Sequence, residues 1–305
     1  VKVAVIGAGG FGRGLTVALA RQDHDVVLWS RRRPKGLPEG AEATDDWGAL
    51  EGASLLFLCV PSVHVQTVVS HLGRVLDGRH YLVHVSRGLI GTELETVSRF
   101  VTRHTAVRRV GCLAGPLNPR VLAEGSPSGA IVGTRFPEVA EAVGDALAGP
   151  SIRMYETDDI VGVEVASALV GLLALAAGFG LEAKVNPAAL GLMMNRGLVE
   201  SARVGVSLGG QEETFHGVAG TGDLMAAVAG DERAEVRLGR AIARGLTLTA
   251  AGEEAGAHIE GLTIARRVSE HAHRVGLDAP IATVIASFLA GHIGPEEGLR
   301  ELMER

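Results

Sequence analysis

Apolar residues in the first half of the chain fall into short continuous runs: Val3–Ile6, Val26–Trp29, Leu55–Val60, Tyr81–Val85, Val110–Leu113 and Ala130–Val132. Runs that are apolar at consecutive rather than alternate positions describe strands covered on both faces, the condition of a largely parallel sheet. Stretches with helical spacing lie between them, one reaching Arg21 and another, EVAEAVGDAL, following Pro137. From about Thr157 the strand-like runs stop and helical spacing continues to Arg305. Asp158 or Asp159 is placed to cap the first of these helices, and Gly209-Gly210, Gly220-Thr221-Gly222 and Asp278-Ala279-Pro280 punctuate later ones. The pattern predicts an α/β chain with a mostly parallel sheet over residues 1–157 and an all-helical domain over residues 158–305.

The uncharged stretch Val165–Gly180 has to be weighed against a membrane span. It is shorter than the roughly 20 residues a bilayer needs, so it is expected to be a helix buried at a domain or subunit interface, which makes a homodimer the expected assembly. A length of 305 residues suits two cores rather than one. A net charge of −6 offers no basic field for a polyanion, so nucleic acid is not an expected partner. Cys59 and Cys112 sit in strand-like runs without metal-ligand spacing and read as buried free thiols of a reducing compartment. With no signal peptide before the first strand, a cytoplasmic location is expected.

Between the first two apolar runs stands Gly7-Ala8-Gly9-Gly10-Phe11-Gly12. Strand, glycine turn, helix and strand in that order make a dinucleotide-binding unit. Gly7 permits the tight exit from the strand, Gly9 the approach of a pyrophosphate, and Gly12 the packing of helix on sheet. Unpaired N–H groups and the positive end of the helix dipole then face the phosphates. After the second strand come Ser30, Arg31, Arg32 and Arg33 instead of an acid, which favours the 2′-phosphate of NADP over the ribose hydroxyls of NAD. Ligands of open parallel sheets bind beyond the carboxyl ends of the strands, so the segments starting at Gly7, Pro61, Arg87 and Gly115 are expected to line one crevice.

The ordered set GAGxFG, Val60-Pro61, Arg87-Gly88-Leu89, Ala114-Gly115-Pro116, Ala219-Gly220-Thr221-Gly222-Asp223-Leu224 and Glu260-Gly261 resembles the bacterial NAD(P)-dependent glycerol-3-phosphate dehydrogenase family over nearly the whole chain. The resemblance implies an N-terminal Rossmann domain, a helical second domain, and hydride transfer from NAD(P)H to dihydroxyacetone phosphate. It places Gly10 and Phe11 on the pyrophosphate, Arg31 at the adenosine end, and Glu260 on the cofactor. Arg87 stands where the family has a lysine touching both cofactor and substrate, and Gly115 keeps the turn of the substrate loop, in which Leu117 and Pro119 depart from the usual residues.

The implied catalytic half matches less well. Val170 and Gly171 stand where the resemblance expects a proton-donating lysine and an asparagine, while Asp223, their implied partner, is kept. Ala234 stands where a substrate-phosphate arginine is expected, leaving Arg233 or Arg237 as candidates, four residues apart and expected on one helix face, either as a cationic patch or paired at the surface with Glu232 or Glu235. Lys184, in a loop-like segment after the apolar helix, is a candidate replacement donor, and Glu164 and Ser167 share a face with Val170. His80, His84, His271 and His273 show no ligand spacing, and no metal site is expected. Three readings follow: reduction of a phosphorylated triose, reduction of another small keto acid or imine, and NADP(H) binding without turnover.

Overall fold

The structure is a computed structural model and describes residues 1–91, 93–147, 149, 151–230, 233–256 and 261–304. The chain divides into two compact units, one of residues 1–86 and 95–164, the other of residues 87–94 and 165–305.

The first unit is built on an eight-stranded sheet: β1 (Lys2–Ile6), β2 (Asp25–Trp29), β3 (Ala41–Thr44), β4 (Leu55–Leu58), β5 (Tyr81–His84), β6 (Arg109–Ala114), β7 (Ser128–Thr134) and β8 (Ile152–Thr157). Its order is β3-β2-β1-β4-β5-β6-β7-β8, and every neighbouring pair is parallel except β6 with β7. The helices α1 (Gly10–Arg21), α2 (Ser62–Leu72), α3 (Val97–His104), α4 (Pro119–Glu124) and α5 (Pro137–Leu147) supply the connections. Strand order turns back at β1, which is flanked by β2 and β4 and so marks the switch point of the sheet. One core joins Val3, Val5, Leu28, Phe57 and Val83 of the strands to Leu15, Leu19, Val139 and Val143 of the helices.

All six apolar runs are strands. The two strands that the runs do not announce are β3, on the sheet's edge, and β8, on the other edge, where exposed Arg153, Tyr155 and Glu156 interrupt the apolar positions. An edge strand is only half covered and needs no continuous apolar run.

The second unit is helical: α6 (Ile160–Glu182, entering from the first), α7 (Pro187–Ser207), α8 (Glu212–His216), α9 (Asp223–Ala229), α10 (Ala234–Ala243), α11 (Leu248–Ala255), α12 (Gly261–Val275), α13 (Pro280–Leu289) and α14 (Pro295–Glu304). Asp159 caps α6, its Oδ1 accepting from Gly162 N at 2.8 Å. At 23 residues α6 is long and apolar enough to cross a membrane, longer than its uncharged stretch suggests, but its most apolar window is entirely buried within the protein. That is the pattern of a core helix. In the second unit α6 and α10 pack backbone to backbone: a Cβ at Gly178 would collide with the Val236 carbonyl, and one at Gly239 with the Leu175 carbonyl. Glu200 of α7 caps α13 by accepting from Ile281 N and Ala282 N, each at 2.8 Å.

His84 ends β5 with no exposure, opposite Cys112 of β6. Its Nε2 lies 2.8 Å from Glu164 Oε1, and Ser98 donates to the same carboxylate through its backbone N–H, at 2.9 Å, and its hydroxyl. Burial alone would lower the His84 pKa, but the adjacent Cys112 sulfur and the Glu164 carboxylate outweigh it and raise it to about 10. A base whose pKa rises on folding above its unfolded value of about 6.5 contributes stability that is complete below that value and lost as pH climbs through about 10. His84→Asn should therefore destabilise the protein by about 3–5 kcal/mol near neutral pH, the cost of stranding a buried partner. In urea unfolding the gap to the parent should narrow above pH 10, and a gap independent of pH would show that the imidazole is neutral.

Candidate cofactor cradle and charged site

In the first unit, β1 delivers the chain to Gly7, whose φ of +112° is in the left-handed region that favours glycine and whose missing Cβ leaves room for the Cys59 carbonyl. Gly12, one turn into α1, sits so close to the Gly7 carbonyl that any side chain would collide with it. Gly9 is the N-cap residue, no side chain caps the helix, and its first turn has no acid. A Cβ at Gly9 would have nothing within 4 Å. The helix start thus offers unpaired N–H groups and the positive end of its dipole to open space, which fits a pyrophosphate. Gly7, Gly9, Gly10 and Gly12 are the residues that would hold it, with half-buried Phe11 packed against the core behind them.

Ser30 follows β2, its N–H bonded to Thr44 O at 2.9 Å. Of the three arginines after it, Arg33 is paired with Asp45, while Arg31 and Arg32 are exposed and have no ion-pair partner among the described residues. Two guanidinium groups are thus available to a 2′-phosphate. Pro61 is the N-cap of α2. Gly115, at φ +108°, turns the chain after β6, and Asn118 then caps α4 by accepting from Val121 N at 2.8 Å. Pro119 packs against Gly10 and Gly14 of α1. Glu260 lies outside the described residues.

In the second unit, a π-helical turn Val218–Gly222 leads into α9. Gly220 is required there because a Cβ would collide with the Phe215 carbonyl. The turn presents Asp223, the first residue of α9, at 2% exposure. Arg233 Nη1 lies 2.8 Å from Asp223 Oδ2, and Arg87 Nη2 lies 3.9 Å from Oδ1. Arg233 Nε is in turn 3.5 Å from Glu235 Oε2. The side chains of Asp223, Arg233 and Glu235 are 3%, 9% and 13% exposed, so three of the four charges meet in a nearly dry setting, with Arg87 at its edge at 26%. Burial works against the charge on Arg233, but Asp223 and Glu235 overcome it and raise its pKa. Burial also works against the charge on Glu235, and Arg233 with Arg87 overcome that and hold its carboxyl below the ordinary range.

The remaining candidates are not gathered here. Arg233 is the extended N-cap residue of α10 rather than part of the helix, so it shares no helix face with Arg237, whose Nη2 donates to Ala255 O at 2.9 Å. Lys184 is exposed beyond the end of α6, whose last residue, Glu182, is 12 past Val170 and so about 18 Å along the helix at about 1.5 Å per residue. Glu164 is held in the first unit by His84 and Ser98, and Ser167 is buried. Val170 is 1% exposed, and a Cβ at Gly171 would stand 3.3 Å from Glu235 Oε1. Glu235 is the site residue that sequence reasoning missed as such. Its position two residues past Arg233, the N-cap of α10, is the only signal of it.

Residues 159–300 match the model of the NAD-dependent glycerol-3-phosphate dehydrogenase C-terminus, and residues 2–88 that of the NADP oxidoreductases, coenzyme F420-dependent. The NAD(P)+ glycerol-3-phosphate dehydrogenase of Stenotrophomonas maltophilia is 33% identical, the match taking 100% of this chain and 95% of the relative. That of Deinococcus radiodurans is 35% identical over 99% of this chain and 94% of its own. The chain belongs to the NAD(P)-dependent glycerol-3-phosphate dehydrogenase family. In structure it is similar to the glycerol-3-phosphate dehydrogenase of Coxiella burnetii, with a TM-score of 0.93, 26% identity and coverage of 100% and 99% of the two chains. A ketopantoate reductase from Ralstonia eutropha shares the fold at a TM-score of 0.62 and 16% identity, over 99% of each chain. Family membership makes this chain an NAD(P)-dependent oxidoreductase.

Removing one member of the charged cluster strands the others. Arg233→Met should cost about 3–5 kcal/mol, because Asp223 and Glu235 are left buried side by side. Arg233→Met with Glu235→Leu should recover part of the loss, read by urea unfolding at neutral pH. A double variant as unstable as the single one would show that Arg233 is held by packing rather than by its carboxylates.

Proposed function

We propose that this protein moves a hydride between a nicotinamide dinucleotide and the carbonyl carbon of a small hydroxyketone, in the manner of the relatives named for glycerol 3-phosphate, for which the ketone is dihydroxyacetone phosphate. The full-length likeness to those relatives carries the reading, and the open glycine turn at the start of α1 supports it. When bound, the cofactor supplies or accepts the hydride. Gly9 and Gly10 anchor its pyrophosphate, and Arg31 and Arg32 its 2′-phosphate. Arg233 and Arg87 steady the negative charge that builds on the carbonyl oxygen, and Asp223 holds Arg233 in place.

Val170, Gly171 and Ala234 favour a second reading, the same transfer on a carbonyl compound without a phosphate. Valine donates no proton, and loss of a positioned acid costs about 10²–10⁴-fold in rate. The proposal also includes a cytoplasmic homodimer. α6, on which the dimer was argued, is buried within the protein. Leu192, Val199 and Val206, exposed at seven-residue intervals on α7, now support it.

Purified protein should oxidise NADPH in the presence of dihydroxyacetone phosphate or one member of a panel of unphosphorylated keto compounds and an imine. Tight NADPH binding with no turnover of any of them would instead make the chain a nucleotide-binding protein. Arg31→Ala and Arg32→Ala should each weaken NADPH binding about tenfold, the worth of one charge-assisted hydrogen bond, with little effect on NADH. Equal losses for both cofactors in a fluorescence titration would remove the preference for NADP.

A further inference from the structure

We infer that the charged cluster of the second unit binds an uncharged α-hydroxy carbonyl compound, a small polyhydroxy ketone or aldehyde without phosphate, with the carbonyl on Arg233 and the neighbouring hydroxyl on Asp223. This rests on the hydride-transfer reading and names the substrate class for the same site.

The first ground is charge. Among the described residues, Arg87 and Arg233 face Asp223 and Glu235, two cations against two anions, so these four carry no net positive charge to offer a dianion. Arg87 and Arg233 both bear on Glu235 and hold it ionised, so its charge is part of that sum. Three further cations of the unit are accounted for. Arg237 donates to Ala255 O, Lys184 is exposed beyond α6, and Arg240 lies about 140° round α10 from Glu235 at 3.6 residues per turn. A phosphate brought here would lose its hydration and meet Glu235 as well as Arg233, an uncompensated burial of charge.

The second ground is the hydrogen-bond inventory. Arg233 Nη1 and Nη2 and Asp223 Oδ2 are buried and make no hydrogen bond. Nη1 and Oδ2 meet at 2.8 Å as charges but not in the alignment of a bond. Buried donors and a buried acceptor left unbonded side by side are costly unless a ligand completes them. A carbonyl oxygen accepts from the guanidinium, and a hydroxyl on the next carbon donates to the carboxylate, so an α-hydroxy carbonyl group matches both. Glu235 then takes a further hydroxyl.

In the reaction the carbonyl carbon accepts the hydride with its electron pair, and the π pair of the C=O bond moves onto oxygen. That oxygen takes a proton from water, and the reduced nicotinamide is left oxidised. Arginine holds its proton throughout, so Arg233 acts by charge and hydrogen bonding.

Dihydroxyacetone and dihydroxyacetone phosphate differ only in the phosphate and make the test. With saturating NADPH, kcat/KM should be at least about tenfold higher for dihydroxyacetone, a difference of ~1.4 kcal/mol. A higher kcat/KM for the phosphate ester would overturn the inference and leave the hydride-transfer reading standing. Should neither these nor any other member of the panel turn over, that reading falls, and inorganic phosphate decides the inference. Phosphate should leave the melting temperature of the parent unchanged and raise that of Glu235→Gln, whose cluster has one net positive charge. Stabilisation of the parent by phosphate as large as that of the variant would sink it. Asp223→Asn provides the same added charge if the first variant does not fold.

Discussion

The second unit turns on the contact between α6 and α10. Gly178 and Gly239 let the two backbones touch, and a methyl group on either would force them apart. That contact sets the start of α10 against the middle of α6, which brings Glu235 over Gly171 and swings the extended Arg233 toward Asp223. Once the backbones are this close, the charges have few ways to arrange themselves. A buried carboxylate needs a partner, and Arg233 lies between two. The cluster is therefore a property of helix packing as much as of the residues that compose it, and a bulkier residue at position 171 would have to displace Glu235 first.

The first unit obeys a different constraint. Its glycine turn has one geometry, because Gly7 and Gly12 each leave room for a backbone carbonyl and neither position tolerates a side chain. Such a turn recurs across many chemistries, and it speaks for the dinucleotide alone. On the proposed reading the substrate is chosen by side chains of the helical unit, where this chain departs furthest from its family resemblance.

The sheet was legible wherever a strand is covered on both faces. Val3–Ile6, Val26–Trp29 and Leu55–Leu58 are apolar without interruption because helices cover both faces of the central strands. β3 and β8 were not legible, since edge strands with exposed Glu42, Arg153 and Tyr155 carry no such run. The reversal of direction between β6 and β7 also escaped, because covered strands read alike in either direction. In the site, Asp223 came from the family resemblance, and Glu235 was read only as a surface partner. The pairing of Arg233 with Asp223 was not legible. It depends on α10 beginning at Ala234 rather than one residue earlier, and boundaries of that precision are beyond a periodicity argument. Lys184 was attractive as the sole lysine of the helical half, yet a helix of 23 residues carries it far from the cluster.

On the proposed reading an arginine stands beside the reacting oxygen in place of an amine, which changes how such a site works. An ammonium group stabilises a developing alkoxide and then gives it a proton, so its pKa must lie near the working pH. The Arg233 guanidinium is pushed further from titration by Asp223 and Glu235 and remains charged throughout. Its contribution is a fixed field, already oriented by two carboxylates and costing no rearrangement when the oxygen becomes negative. The same carboxylates that orient it also temper its charge, so the site trades strength of attraction for geometry. Such an exchange favours a substrate recognised by the pattern of its hydroxyls over one captured by charge.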